Sequence, residues 1–218
     1  DLLRRRTKMV NYGAQLKAHV KNTISQYNLP EHQLNLRYPK ARESMRSTFS
    51  EISVQRNVDL DLDMVSHINA ELAKVEYFIE KQAKQHNPQD YYLLRSIPGV
   101  GQILALTILY EIGYIERFES VQKFASYSRL VKCKAESAGK TYGTNGNKIG
   151  NAHLKWAFSE AAVLYLRGKP KAQKYLQRLQ KRMNKAKALS ALAHKLGRAV
   201  FFMLKHRTVF DEKRFLAG

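Results

Sequence analysis

Residues 93–113, LLRSIPGVGQILALTILYEIG, carry helical patterns on both sides of a Pro-Gly-x-Gly turn, and Gly113 fits the C-terminal end of the second helix. This is the pattern of a helix-hairpin-helix, in which the glycines allow a tight turn and expose N–H groups that suit a phosphate oxygen. A plain pair of packed helices can have the same turn, and we favour the phosphate-binding interpretation. The residues that it assigns to nucleic acid are Pro98, Gly99, Val100 and Gly101.

Most of the remaining chain is also predicted to be helical, so the fold class is all-α. His86-Asn87-Pro88 interrupts the pattern, since proline disfavours helix at the residue before it. We therefore predict a helical coiled-coil region over 1–88 and a second domain over 89–218. Residues 135–150, AESAGKTYGTNGNKIG, contain four glycines without apolar periodicity and are predicted to form a long loop or a small hairpin. The other predicted helices span 2–28, 41–55, 119–130, 151–168, 170–183 and 187–206.

An a/d pattern in the first region bears on oligomerisation. Its apolar residues step by three and four positions, which is the spacing of a coiled-coil seam. The seam lasts two to three heptads, so it could join two protomers or pack one helix within a bundle. The homo-oligomer predicted from it is a dimer or tetramer. The residues of the seam are Val65, Ile68, Leu72, Val75 and Ile79.

The net charge of +20 lies almost entirely in the second half of the chain. Residues 1–120 hold 16 basic and 14 acidic side chains, whereas residues 121–218 hold 22 and 4. Such asymmetry predicts a nucleic-acid partner, with a ribosome-type structural protein or an anionic membrane surface as alternatives.

Three features of the sequence exclude other classes of protein. A single cysteine argues against disulfides. The lack of an apolar run of about 20 residues argues against membrane spans, and the charged N-terminus argues against secretion. We expect a cytoplasmic protein.

Two basic groups are candidate phosphate contacts. Arg178, Lys181, Arg182 and Lys185 form a dense basic face, and no acidic residue occurs between positions 161 and 209. Around Ser137, in the glycine-rich segment, lie Lys132, Lys134, Lys140 and Lys148.

Ser137 occupies the place expected of a nucleophile that attacks a phosphate, but serine needs activation and no base is evident. On chemistry alone an ordinary glycine-serine loop remains the better interpretation. No metal site is predicted. The seven histidines lack ligand spacing, and Asp59, Asp61 and Asp63 are explained by a helix N-terminus.

The order of short motifs resembles the C-terminal part of transposases of the insertion-sequence 110/1111 family, the bridge-RNA-guided DNA recombinases. The resemblance covers most of the chain and is strongest over 93–168. The motifs are IPGVG, EIG, RFES, FASY, LV, ESAGK, GNKIGN and LKWAF.

This resemblance implies a two-part active site. A serine of the C-terminal domain attacks a DNA phosphate and forms a phosphoserine link, while three Asp and one Glu of a RuvC-like domain bind Mg²⁺. Ser137 stands at the position of the serine, Ala138 at that of a second hydroxyl, and Arg129 where many members have glycine.

No segment resembles the RuvC-like domain, so the chain alone is expected to bind DNA and guide RNA without cleaving DNA. The Mg²⁺ would belong to the full-length protein. The alternatives are a non-catalytic helix-hairpin-helix module and a structural RNA-binding protein.

Overall fold

The computed structural model describes residues 1–29, 35–131, 133–137, 140–145 and 149–217, with the backbone alone at 133–137 and 141–145. Apart from one two-stranded hairpin, the described elements are helices, which confirms the prediction of an all-α protein. The chain divides into two compact units, Asp1–Lys81 and Gln82–Gly218. No helix in the described part of the chain has the length and apolarity needed to span a membrane.

The first unit is built on two long antiparallel helices, α1 (Leu2–Gln26) and α3 (Ile52–His86). Residues early in α1 meet residues late in α3, as the 2.7 Å contact between Arg6 Nε and Glu76 Oε1 shows. His19 Nδ1 and Asp61 Oδ2 lie 2.5 Å apart further along the pair. Val20, Ile24, Val58 and other apolar residues form a shared core. The elements are α1 (Leu2–Gln26), α2 (Pro39–Glu43) and α3 (Ile52–His86), whose last five residues belong to the second unit.

The predicted coiled-coil seam lies on α3 and already has a partner within the chain. Val65 and Ile79 are buried, and a Cβ on Gly13 of α1 would lie 3.6 Å from Ile68 Cγ2. Part of the seam therefore packs one helix within a bundle, the second of the two interpretations. A homo-oligomer remains a prediction.

The aspartates at 59, 61 and 63 are not at a helix N-terminus, because α3 begins at Ile52. That sequence-based explanation was wrong. Asp61 pairs with His19, Asp63 pairs with Arg46, and Asp59 accepts a hydrogen bond from Gln55. Side-chain partners therefore account for this acidic row.

The second unit packs its helices around α5 (Gln102–Ile112), α7 (Ala152–Tyr165) and α9 (Lys185–His206). α5 is buried along nearly its whole length. In the centre, the Phe124 ring packs edge-to-face against Phe158 and at a tilt against Phe201. Phe210 N donates to Ser96 Oγ at 3.1 Å, which ties the segment after α9 to the end of α4. The elements are α4 (Pro88–Arg95), α5 (Gln102–Ile112), a 3₁₀ turn (Ile115–Arg117), α6 (Val121–Tyr127), β1 (Cys133–Ser137), β2 (Lys140–Asn145), α7 (Ala152–Tyr165), α8 (Pro170–Gln180), α9 (Lys185–His206) and α10 (Glu212–Ala217).

The glycine-rich segment forms an antiparallel hairpin, the second of its two predicted forms. Ser137, the last residue of β1, pairs with Lys140, the first residue of β2. The register shifts between Lys134 and Glu136, which indicates a bulge in the ladder. Only two residues separate the strands at the Ser137 end, so the backbone of Ser137 lies at the tip of the hairpin.

Candidate functional site

The turn between α4 and α5 uses its two glycines differently. Gly99 has φ +84°, and a Cβ there would lie 2.6 Å from the backbone nitrogen of Tyr165 at the end of α7. Gly101 is the N-cap of α5, with φ −75°, no side-chain cap and open space where a Cβ would be. Gly99 is therefore required by packing, whereas Gly101 leaves the N-terminus of α5 accessible to a ligand.

The other two residues of the predicted phosphate-binding turn differ in accessibility. Pro98 is half-buried, and Val100 is buried with its N–H donating to Ile97 O at 3.0 Å. Neither the side chain nor the N–H of Val100 is thus available to a nucleic acid. Among the four predicted residues, Gly101 is the one whose surroundings best suit a phosphate contact.

A basic surface surrounds the bend between α8 and α9. α8 ends at Gln180, and α9 begins after Asn184, whose side chain accepts from Lys187 N at 2.9 Å. All four predicted basic residues are exposed here, and none pairs with an acidic side chain in the part of the chain that the structure describes. We call this group the α8–α9 basic surface; it consists of Arg178, Lys181, Arg182 and Lys185.

An aromatic side chain stabilises one edge of the α8–α9 basic surface. The guanidinium of Arg178 lies 5.3 Å from the centre of the Tyr175 ring, and the ammonium of Lys195 lies 4.4 Å from the same ring. Cation–π contacts of this kind hold cations close together despite their repulsion. The surface is therefore a concentrated positive charge that no carboxylate of the described side chains neutralises.

The lysines predicted around Ser137 are only partly described. Lys140 is exposed and pairs with Ser137 in the backbone register at the tip of the hairpin. Lys132 and Lys148 lie outside the described residues, and only the backbone of Lys134 and of Ser137 is described. Ser137 and Lys140 are thus the two predicted residues that the hairpin brings to one end.

The base of the hairpin is a site that sequence analysis missed. Asn151 N donates to Tyr127 O at 2.6 Å, and Arg129 Nε donates to Ile149 O at 3.2 Å. Gly150 between them has φ +101°, and a Cβ there would lie 2.6 Å from Tyr127 O. We call these contacts the hairpin anchor. The GNKIGN motif was the one signal for it, because Gly-Asn before an apolar run is typical of a helix start.

The side chain of Asn151 has hydrogen-bond partners on both of its polar atoms. Its Oδ1 accepts from His153 N at 2.9 Å and from Leu154 N at 3.0 Å, which caps α7. Its Nδ2 donates to Glu111 Oε2 at 2.6 Å and lies 3.4 Å from Tyr127 Oη. Because the side chain is buried, these bonds fix the orientation of its amide group.

Tyr127 connects the hairpin anchor to a nearby arginine. The hydrogen bond from Asn151 lowers the pKa of the Tyr127 hydroxyl; burial opposes this shift, and Arg117 adds to it. The guanidinium of Arg117 lies 4.6 Å from the ring centre of Phe118 and 4.7 Å from that of Tyr127. Glu111, Asn151, Tyr127 and Arg117 therefore form one polar cluster beside the hairpin base.

We find no group of three or more His, Cys, Asp or Glu side chains able to hold a metal ion among the described residues. These residues therefore do not fit the Mg²⁺ site that the family resemblance implies, and we assign no ligand of that ion to them.

Comparison with known proteins matches residues 91–177 to the model of the transposase IS116/IS110/IS902 family. The chain is 31% identical over 127 residues to the insertion element IS110 uncharacterized 43.6 kDa protein of Streptomyces coelicolor, an alignment that covers 58% of this chain and 31% of that protein. It is 27% identical over 147 residues to the transposase for insertion sequence element IS1111A of Coxiella burnetii, covering 66% and 40%. The chain thus spans less than half of the length of either relative.

Proposed function

We propose that the chain, whose residues 91–177 match the model of the transposase IS116/IS110/IS902 family, is the part of a DNA transposase that binds DNA and supplies a serine nucleophile. The observation that carries the proposal is the position of Ser137. It is the last residue of β1, at the tip of the hairpin and opposite the exposed Lys140.

In the proposed reaction, Ser137 Oγ attacks a phosphorus atom of the DNA backbone. A bond forms between Oγ and phosphorus, and the bond from phosphorus to one deoxyribose oxygen breaks. The serine proton passes to water, and the leaving oxygen takes a proton from water. Attack of a deoxyribose hydroxyl on the phosphoserine reverses these steps and joins a new strand. A cation such as Lys140 stabilises the extra negative charge on the phosphoryl oxygens.

DNA and guide RNA are the partners that we propose for the α8–α9 basic surface and the N-terminus of α5. Each exposed Lys or Arg that neutralises a phosphate releases a bound counterion, which favours binding of any sequence. The N-terminus of α5 adds N–H groups and the positive end of a helix dipole. A homo-oligomer is part of the proposal, as is an Mg²⁺ ion in the full-length protein, to which we assign no step.

The test is to trap a covalent adduct between end-labelled DNA and the full-length protein. Ser137→Ala is expected to abolish both the adduct and strand exchange while DNA affinity stays unchanged. The matched control is Ser159→Ala, which changes an exposed serine of α7 whose Oγ donates to Lys155 O at 2.8 Å. The control should retain the adduct. An adduct in Ser137→Ala would show that the nucleophile is another residue.

A non-catalytic nucleic-acid-binding module is the second candidate, and the open N-terminus of α5 beside Gly101 favours it. That function needs the basic surface and the turn but not the hairpin tip. It predicts salt-sensitive, sequence-tolerant binding with no adduct in the unmodified protein. The same trapping experiment therefore separates the two candidates.

A further inference from the structure

The first strand of the hairpin leaves the helices from a fixed point. Arg129 has φ +54°, and Leu130 N donates to Ala125 O at 2.9 Å directly after α6. A Cβ on Gly197 of α9 would lie 2.3 Å from Leu130 Cδ1, so the leucine side chain occupies the space that this glycine leaves open. Packing and backbone hydrogen bonds thus hold the residue at which the hairpin departs.

The described chain resumes after the second strand at an equally fixed point, the hairpin anchor. Asn151 bonds there through three groups: its N–H to Tyr127, its Oδ1 to the first turn of α7, and its Nδ2 to Glu111 of α5. The last bond is charge-assisted at 2.6 Å, a class roughly twice as strong as bonds between neutral groups. Three helices, α5, α6 and α7, therefore converge on one residue at the hairpin base.

Small rotations at this base produce large displacements at the tip. A five-residue strand is about 16 Å long, so a tilt of about 10° at the base would move the tip by about 3 Å. A misplacement of about 1 Å can reduce a reaction rate about 100-fold. The direction in which the hairpin leaves the helices is thus a quantity on which attack by Ser137 depends.

We propose that Asn151 is a positioning residue for the reaction of Ser137, and that its hydrogen bond to Glu111 sets the direction of the hairpin. This inference rests on the proposed function. Asn151 acts through the backbone of the hairpin and does not touch the DNA. Its role is separable from the capping of α7, because Oδ1 makes the cap and Nδ2 makes the bond to Glu111.

The test uses Asn151→Asp and Glu111→Gln, which together exchange the donor and the acceptor. Aspartate caps a helix as well as asparagine, but it cannot donate and would face the Glu111 carboxylate. In the double variant, the glutamine amide donates to the aspartate and the bond is restored. A second single variant, Glu111→Ala, removes the acceptor without touching the cap and covers the case in which Asn151→Asp fails to fold.

Three quantities are measured: adduct formation and DNA affinity in the full-length protein, and amide hydrogen exchange of β1 and β2 in the 218-residue chain. Asn151→Asp and Glu111→Ala are expected to slow adduct formation at saturating DNA at least about tenfold. DNA affinity should stay within about twofold, since no DNA contact is lost. Amide hydrogen exchange of the hairpin should accelerate in both single variants. The double variant should recover both the rate of adduct formation and the protection of the hairpin from exchange.

The inference is overturned if the single variants react at the unmodified rate, whether or not their hairpin exchange accelerates. A double variant as slow as Asn151→Asp would also overturn it, because a merely structural role would not be rescued by exchanging donor and acceptor. Failure of the proposed function has a different signature. In that case either the unmodified protein forms no adduct or Ser137→Ala keeps its adduct, while hydrogen exchange still reports whether the Asn151–Glu111 bond holds the hairpin.

Discussion

Arg129 adopts a backbone conformation that costs energy for every residue except glycine. Its φ is +54°, and a residue with a Cβ in the left-handed region pays about 1–2 kcal/mol relative to the right-handed form. Glycine at this position would not carry that cost. The arginine retains one compensating contact, from its Nε to Ile149 O at 3.2 Å.

Replacing Arg129 with glycine or alanine separates the backbone cost from the lost contact. Both variants lose the bond to Ile149, but only glycine relieves the strained φ. We expect Arg129→Gly to be more stable than Arg129→Ala by about 1 kcal/mol. Urea unfolding of the 218-residue chain measures the difference, and equal midpoints for the two variants would contradict the strain that we assign to this residue.

At the scale of single residues, sequence analysis identified the nucleophile candidate but not what holds it. Ser137 could be found because its motif resembles that of a family. The bond between Asn151 and Glu111 could not, because forty positions separate the two residues and nothing in the spacing joins them. Only the packing of α5 beside α7 brings them together. Likewise, Val100 looked like a contact residue until its burial was known.

At the scale of elements, the helices were predictable where apolar residues recur with helical period, as in α3. The predicted helix over 41–55 was wrong, because α2 ends at Glu43 and α3 begins at Ile52. Two causes are visible. First, Arg42 donates to Leu36 O and Arg37 O, which folds the preceding chain back. Second, the segment after Glu43 is rich in Ser and Thr, whose side chains compete for backbone hydrogen bonds.

The turn between α4 and α5 allows packing and phosphate binding to be tested with matched substitutions. Gly99→Ala places a methyl group 2.6 Å from the Tyr165 backbone at a positive φ, so we expect a loss of at least about 2 kcal/mol of stability. Gly101→Ala meets no atom within 4 Å and has an ordinary φ. Its fold should therefore be unchanged while its DNA affinity falls, because the methyl group crowds the N-terminus of α5.

Thermal unfolding and DNA binding of the two variants check this prediction. Gly101→Ala with unchanged DNA affinity would contradict phosphate binding at this turn and leave the helix pair a packing element. Gly99→Ala with an unchanged unfolding temperature would contradict the close approach of the turn to α7. The two glycines thus report on different properties of one element.

At the scale of the whole molecule, the charge distribution was readable from sequence because it needs only residue counts. The position of these charges in the folded chain could not be predicted in this way. The bend between α8 and α9 gathers four cations that are up to seven positions apart, and none of them pairs with an acidic side chain among the described residues. Among the described ion pairs of the second unit, Arg207–Asp90 and Lys169–Glu212 use basic residues outside this group.

Removing the α8–α9 basic surface should change how DNA binding depends on salt. Each phosphate contact contributes about 0.9 to the slope of log K against log salt on duplex DNA, so replacing its four residues with glutamine should reduce the slope by about 3 to 4. A second variant removes four exposed cations of the first unit, Lys8, Lys21, Lys40 and Arg56. Both variants lose four charges, so a change in net charge alone would reduce both slopes equally. If DNA contacts the α8–α9 basic surface directly, only the first variant should have a reduced slope. Equal reductions in the two variants would show that DNA does not bind at this surface.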